Sequence, residues 1–230
     1  MNRKIIILKS LKGIIFFLPV VAIFLCFLNP ARANRWFFTI FITLFIIERM
    51  WEAFYTSKRQ VREVSEIDPT LPITLSLYVL LIIFCLTEFY LTHIELNLYV
   101  SLFAIVGYVV ALILRLWAII SLRDQWSINI MDKSTIDFQK TLIVKGPYKY
   151  VRHPIYFGTI LEQVSIPLVA NLYYSAFLIL IFSIPFHMIK AKIEEQNLIS
   201  ELGSGYEVYM KSTPWINFLH KVVGGEDCIK

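Results

Sequence analysis

The chain has 230 residues, of which 57% are hydrophobic and 17% are charged, and its formal net charge is +5. This composition is far more apolar than a soluble domain of the same length needs, so we predict an all-α integral membrane protein. We interpret the excess of basic residues first as a signal of membrane orientation, and it gives no support for a nucleic-acid partner.

Apolar runs long enough to cross a membrane occupy most of the chain. One helical crossing takes about 20 residues. The runs are residues 13–28, 36–47, 71–92, 98–120 and 155–189. Because the last run is too long for one crossing, we divide it into two helices that turn near Ala170 and Asn171. The sequence therefore predicts about six transmembrane helices.

The basic residues predict which ends of these helices face the cytosol. Lys and Arg concentrate in cytoplasmic loops. Eighteen of the 22 basic residues lie in residues 1–13, 56–70, 121–153 and 190–230, and two lie in the alternate loops. Six crossings with both termini in the cytosol satisfy this distribution.

The first apolar run also has the outline of a cleavable signal peptide. Residues 1–33 begin with basic side chains, continue with an apolar core and end on Ala31, Arg32 and Ala33. The length of the core and the proline before the cut argue against cleavage. If cleavage occurred, five crossings would remain.

Three charged side chains inside or beside the apolar runs need an explanation. Arg115 lies in the fourth run and Glu162 in the fifth. A charge at the centre of a transmembrane helix costs about 2.5–3.5 kcal/mol on insertion scales, so we predict that these two face each other or a watery cavity. Glu48 belongs to a charged group at the end of the second run, for which we expect a structural role.

Two shorter patterns follow in the second half of the chain. Apolar side chains alternate with smaller or polar ones at Trp126, Ile128 and Ile130, and again at Leu142 and Val144, which predicts a short cytosolic hairpin. Isoleucine and leucine then recur near helical spacing over residues 189–202. This spacing predicts a C-terminal amphipathic helix that ends at the glycines 203 and 205.

Cysteine and histidine show no metal-binding pattern. Cys26, Cys85 and Cys228 are scattered, and no pair has the spacing of a metal or redox site. The histidines share no ligand spacing either. We therefore expect no bound metal and treat the cysteines as packing residues.

The segment GPYKYVRHPIYFG, residues 146–158, is polar and aromatic although it lies between apolar stretches. Its prolines fix the backbone on both sides of Tyr148–His153. Arg152 supplies a permanent cation, and His153 a donor or acceptor near neutral pH. A helix that starts at Pro154 directs its unpaired amides toward this segment, and such an end attracts carboxylates and phosphates.

A second motif, EEQNL at residues 194–198, follows after a helical hairpin, and GYEVY follows at residues 205–209. Together with residues 146–158, these motifs resemble the C-terminal half of the isoprenylcysteine carboxyl methyltransferase family. Members of that family are integral membrane enzymes that use S-adenosylmethionine. The resemblance extends roughly from Arg115 to Trp215.

The resemblance implies S-adenosylmethionine as cofactor and a lipophilic or prenylated acceptor that arrives from the membrane lipid. From the pattern along the chain we predict a single membrane domain, 1–230, with a scaffold of four crossings at residues 1–120, a catalytic half at 121–216 and a tail at 217–230. The residues that the resemblance places at the cofactor are Tyr148, His153, Pro154, Tyr156, Glu194 and Glu195. Two further cations, Arg152 and Lys211, are implied to be catalytic.

The two catalytic cations differ in how well their roles are defined. Arg152 has two roles open to it, toward the carboxylate of the cofactor or toward the head group of the acceptor. Lys211 lies where the family often has an arginine that meets the substrate carboxylate. A lysine is a point charge without the bidentate geometry of arginine.

Other functions are compatible with parts of the same pattern. Residues 146–158 are also typical of a basic interfacial loop, and Glu194 and Glu195 of a solvated helix face that balances Lys190 and Lys192. A phospholipid amine methyltransferase would keep the cofactor and change the acceptor. Membrane sterol reductases share an Arg-His-Pro element and bind NADPH. A non-catalytic membrane scaffold would bind neither cofactor.

Overall fold

The computed structural model describes residues 38–48, 70–92, 95–122 and 142–215, and every regular element in these ranges is helical. The helices are α1 (Phe38–Glu48), α2 (Thr70–Leu91), α3 (Leu98–Leu122), α4 (Pro154–Val169), α5 (Tyr173–Leu202) and α6 (Ser204–Ser212), with a 3₁₀ turn at Gly146–Lys149 before α4. The prediction of an all-α protein is confirmed for the described residues.

Two of these helices, α3 and α5, are long and apolar enough to cross a membrane by length and composition. α1 and the stretch Ser76–Leu91 of α2 are apolar but shorter. The run at 155–189 divides as predicted, because α4 ends at Val169 and α5 begins at Tyr173. The run at 13–28 lies outside the described residues, so the count of six crossings and the cytosolic termini stay predictions.

Asn171 closes the turn between α4 and α5. It is fully buried and has a φ of +61°, a left-handed conformation that asparagine tolerates better than most residues. Its side-chain amide donates to Ser101 Oγ at 2.8 Å, and its Oδ1 accepts from the Asn97 amide at 3.1 Å. The turn is thereby fastened to the start of α3.

Glu88 of α2 caps the N-terminus of α5. Its two carboxylate oxygens accept hydrogen bonds from the amides of Tyr174 at 3.2 Å and Ser175 at 2.7 Å. The first amides of a helix have no partner inside the helix, and the helix dipole favours a negative charge there. This buried carboxylate therefore fixes α5 against α2.

A hydrophobic core joins α1 and α2 to the α4–α5 turn. The rings of Phe38 and Phe89 lie 4.5 Å apart between centroids, and Cys85 is fully buried beside them. The core residues are Phe38, Ile42, Phe45, Ile46, Tyr78, Leu81, Ile82, Cys85, Leu86, Phe89, Ile166, Ala170, Leu172 and Ile179. This core therefore fixes the α4–α5 turn against α1 and α2.

A buried ion pair joins α3 to α4. Arg115 pairs with Glu162 as predicted, and the Arg115 guanidinium also lies 3.8 Å from a Glu48 oxygen. Tyr108 donates to the other Glu48 oxygen at 2.9 Å. Glu48 thus contributes to packing between α1 and α3, in agreement with the structural role expected for it.

Gly158 allows α4 to approach this ion pair closely. A Cβ atom at residue 158 would lie 2.6 Å from Arg115 Cγ and 3.3 Å from the Ala111 carbonyl oxygen. Contacts under 3.0 Å require the neighbouring atoms to move. A side chain at residue 158 would therefore separate the two helices.

The two patterns predicted for the second half have different outcomes. α5 continues to Leu202 and ends at Gly203, whose φ is +59°. The predicted amphipathic helix is therefore the C-terminal part of α5 and is continuous with the apolar stretch before it. Leu142 and Val144 lie in no strand. Residues 126–130, the other half of the predicted hairpin, lie outside the described residues. Alternating side chains favour a strand, but a strand forms only where a neighbouring strand pairs with its backbone hydrogen-bonding groups.

Candidate functional site

The 3₁₀ turn positions the Arg152–His153 pair at the start of α4. Gly146 has a φ of +61°, and a Cβ there would lie 2.1 Å from Ser121 Oγ at the end of α3. The amides of Tyr150 and Val151 both donate to the Pro147 carbonyl oxygen, at 3.0 and 3.1 Å. This tight turn places the next two side chains directly before the first turn of α4.

The structure brings Arg152 and His153 against the two glutamates of α5. His153 Nε2 lies 2.9 Å from Glu195 Oε1, and His153 Nδ1 lies 3.5 Å from Glu194 Oε2. Arg152 Nη1 lies 3.1 Å from the same Glu195 oxygen. The two motifs are 42 residues apart in sequence and meet because α4 and α5 form a hairpin.

His153 is held in an environment that favours its charged form. Burial by itself disfavours the imidazolium, but the hydrogen bonds and negative charges of Glu194 and Glu195 outweigh that penalty. The pKa of His153 is consequently raised above its ordinary value. A protonated imidazole donates from both nitrogens, and each nitrogen here faces a carboxylate.

Aromatic rings surround this charged group. The Tyr156 ring stacks on His153 with an interplanar angle of 6° and a centroid distance of 5.4 Å, and the Trp215 ring lies 5.9 Å from His153. The Tyr156 hydroxyl hydrogen-bonds Glu194. Aromatic rings and the carboxylates of Glu194 and Glu195 therefore lie next to each other. Such a site suits a ligand that has both a ring and polar groups.

The segment from α6 to Trp215 closes one side of the site. The Tyr209 hydroxyl donates to the Tyr148 carbonyl oxygen at 2.7 Å, and the Arg152 amide donates to the Pro214 carbonyl oxygen at 3.1 Å. Burial, followed by the charges of Glu195 and Glu194, raises the pKa of Tyr206 on the same helix. Tyr206 is therefore a neutral hydroxyl at any physiological pH.

The sequence-predicted residues divide into those that meet and those that do not. The residues gathered at one place are Tyr148, Arg152, His153, Tyr156, Glu194 and Glu195. Pro154 is buried at the first position of α4, where its missing amide costs no hydrogen bond. Lys211 is exposed on α6, and no contact within the described ranges joins it to the glutamates.

Sequence reasoning missed a row of polar side chains on the inner face of α5. Ser183, His187 and Lys190 are buried, whereas the alternative interpretation of the sequence places Lys190 with Lys192 on a solvated face. Ser183 donates to Gln163 of α4, and His187 Nδ1 lies 2.8 Å from the Ser183 carbonyl oxygen. Ser183, His187, Lys190 and Glu194 are four, three and four residues apart, which places them on one face of a helix. This periodicity is the signal in the sequence that could have identified them.

Comparison with known proteins supports the family indicated by the motifs. Residues 102–200 match the model of the Isoprenylcysteine carboxyl methyltransferase (ICMT) family, which confirms the resemblance over this part of the chain. The Uncharacterized protein YpbQ of Bacillus subtilis (strain 168) is 34% identical over 86 residues, which are 37% of this chain and 49% of that protein. The chain thus spans about half the length of the curated relative it matches. The family match and the apolar helices together indicate a membrane protein.

Proposed function

We propose that this protein is an S-adenosylmethionine-dependent membrane methyltransferase that methylates a lipophilic acceptor, namely the carboxyl group of an isoprenylcysteine-type molecule. One observation carries the proposal: Arg152 and His153 contact Glu194 and Glu195 where the apolar part of α5 ends. The match to the methyltransferase family covers all four of these residues.

The side chains at the site suit S-adenosylmethionine. Glu194 and Glu195 can accept hydrogen bonds from ribose hydroxyls or an amino group, and their side chains are 34% and 13% exposed. The buried Arg152 Nε makes no hydrogen bond to any part of the chain that the structure describes, so it can bind a carboxylate. The ring of Trp215 offers a face that can attract a sulfonium or stack on a base.

The chemistry of the proposed reaction places few demands on proton transfer. When bound, S-adenosylmethionine supplies an electrophilic methyl group: an acceptor carboxylate forms the O–C bond while the S–C bond breaks with its electrons left on sulfur, giving a methyl ester and S-adenosylhomocysteine. A carboxylate is already ionised near neutral pH, so the chain need not supply a general base. Its residues must hold the reactants in line, and such alignment can lower the activation barrier by up to about 7–11 kcal/mol.

The residues at the site divide this task between them. His153, placed between Glu194 and Glu195, fixes the orientation of both carboxylates for hydrogen bonds to a ligand. The segment with Tyr209 and Trp215 covers one side and excludes water, which lowers the hydration of an anionic nucleophile. Arg152 adds a positive charge within 3.1 Å of Glu195 and so limits the repulsion between the two acids.

A labelled-methyl assay with a small prenylcysteine acceptor tests the proposal. We expect His153→Ala and Glu195→Ala to lose most turnover while the protein still inserts into membranes normally. Glu201→Ala is the matched control, because Glu201 is exposed on the same helix and should be replaceable without effect. Unchanged turnover in both site variants would remove this assignment of the site.

Binding and pH measurements separate the alternatives. Calorimetry should detect binding of S-adenosylhomocysteine and no binding of NADPH, whereas a sterol-reductase-like enzyme would give the reverse. An amine acceptor must lose a proton before it attacks, so its rate would fall with acidity through the titration range of the amine. A carboxylate acceptor should show no such fall above about pH 5.

A further inference from the structure

Lys190 is a buried cation at the edge of the candidate site. It is 8% exposed and lies on α5, one turn before Glu194. Its Nζ lies 5.7 Å from the centroid of the Tyr156 ring. A lysine near an apolar boundary normally extends its ammonium group toward water. The inward direction of Lys190, in contrast to the exposed Lys192, indicates that the fold holds this charge at the site.

The position of Lys190 along α5 decides what it can meet. The helix from Tyr173 to Ile189 contains no Asp, Glu, Lys or Arg, and Lys190 is the first charged residue after it. A lipophilic acceptor with its tail along this apolar stretch would therefore reach Lys190 one turn before Glu194. Glu195 follows Glu194 along α5, and its carboxylate contacts both Arg152 and His153.

We propose that Lys190 binds the reacting group of the acceptor and that this group is an anionic oxygen, an inference that rests on the proposed methyl transfer. An ammonium group offers three hydrogen-bond donors to a carboxylate oxygen. The same positive charge repels a protonated amine. Lys190 thus determines specificity for oxygen over nitrogen acceptors and takes the role that Lys211, exposed on α6, is not placed to fill.

Substitution of Lys190 in the full-length protein tests this role. We expect K190Q to raise the KM for a prenylcysteine acceptor about 10- to 100-fold, the loss of one charge-assisted hydrogen bond. The Kd for S-adenosylhomocysteine should stay within about threefold of the wild type, a change below 1 kcal/mol. K190R, which keeps the charge, should recover most of the KM, and K192Q should match the wild type.

The same experiment distinguishes the role of Lys190 from structural support of Glu194. If K190Q weakens S-adenosylhomocysteine binding and leaves the acceptor KM unchanged, Lys190 supports the cofactor side and the proposal is overturned. If the wild type itself transfers no methyl group and binds no S-adenosylhomocysteine, it is the proposed function that fails. Intact turnover in K190Q would remove only the role given to Lys190.

A measurement on the wild-type protein covers the case in which K190Q does not fold. Inhibition of the binding of a labelled prenylcysteine acceptor, measured with S-adenosylhomocysteine so that no methyl transfer occurs, compares three analogues that end in a carboxylate, an amide and an amine. We expect the carboxylate to bind at least about tenfold more tightly than the amide, with the amine weakest. Equal inhibition by the three analogues, or tightest binding of the amine, would overturn the proposal.

Discussion

Two charged clusters differ in how much of each remains open: one joins α3 to α4, and the other joins the residues just before α4 to α5. Arg115 and Glu162, between α3 and α4, have side chains that are 6% and 0% exposed. Glu194 and Glu195, at the other cluster, are 34% and 13% exposed and contact Arg152 and His153. The first cluster is buried between its own helices, whereas in the second the carboxylates of Glu194 and Glu195 are partly exposed and accessible to a ligand.

This difference shows why a charge inside an apolar helix is not by itself a sign of function. The sealed pair brings opposite charges together and joins two helices. The open cluster combines a guanidinium, an imidazole and two carboxylates, and it stands among aromatic rings where α4 begins. Exposure together with several donor and acceptor types marks the second cluster as the candidate site.

Removal of Arg115 should give the largest effect on stability. Arg115→Met leaves the carboxylates of Glu162 and Glu48 without their shared guanidinium, and breaking a buried pair costs about 3–5 kcal/mol. Glu162→Gln should cost less, because Arg115 keeps Glu48 at 3.8 Å. Reversible unfolding in mixed detergent micelles measures both, and equal losses would contradict this account of the sealed cluster.

Gly158→Ala should destabilise the contact between α3 and α4 by about 1–3 kcal/mol, the usual range for overpacking. The added methyl group would meet Arg115 Cγ at 2.6 Å. Gly205→Ala is a matched control in α6, because nothing lies within 4 Å of a Cβ there. The two variants should shift the free energy of unfolding in opposite directions, since alanine favours helix.

Tyr209→Phe should have a smaller effect, confined to the open cluster. It removes the hydrogen bond to the Tyr148 carbonyl oxygen, which contributes about 1 kcal/mol. We expect weaker binding of S-adenosylhomocysteine by calorimetry, because the segment that covers the site is held less firmly. Tyr99→Phe, at an exposed position of α3, should change nothing. Equal binding in both variants would show that this cover is independent of Tyr209.

The dependence of stability on pH should be the smallest of these effects. The pKa of His153 is raised in the folded protein, so the stability that it contributes is fully present below the unfolded pKa, about 6.5. That contribution is lost as pH rises through the higher folded value. The difference in free energy of unfolding between wild type and His153→Gln should therefore shrink as pH rises above about 6.5. A difference that is constant over this range would mean that His153 stays in one protonation state.

Local features of the sequence determined much of the backbone. Apolar runs predicted the bounds of α2 and α3 to within two residues, because length and hydrophobicity are properties of contiguous sequence. Asn171 and Gly203 marked the two helix ends, since both tolerate positive φ. The two motifs also identified six of the residues that form the candidate site.

Only the tertiary structure decided which charges share that site. Lys190 and Lys192 look alike in the sequence, yet one is buried beside Tyr156 and the other is exposed. Lys211 lies near the second motif and is exposed on α6. Helical periodicity specifies which residues share a face, but packing against neighbouring helices decides which face turns inward. Contacts between residues 42 positions apart depend on that rotation.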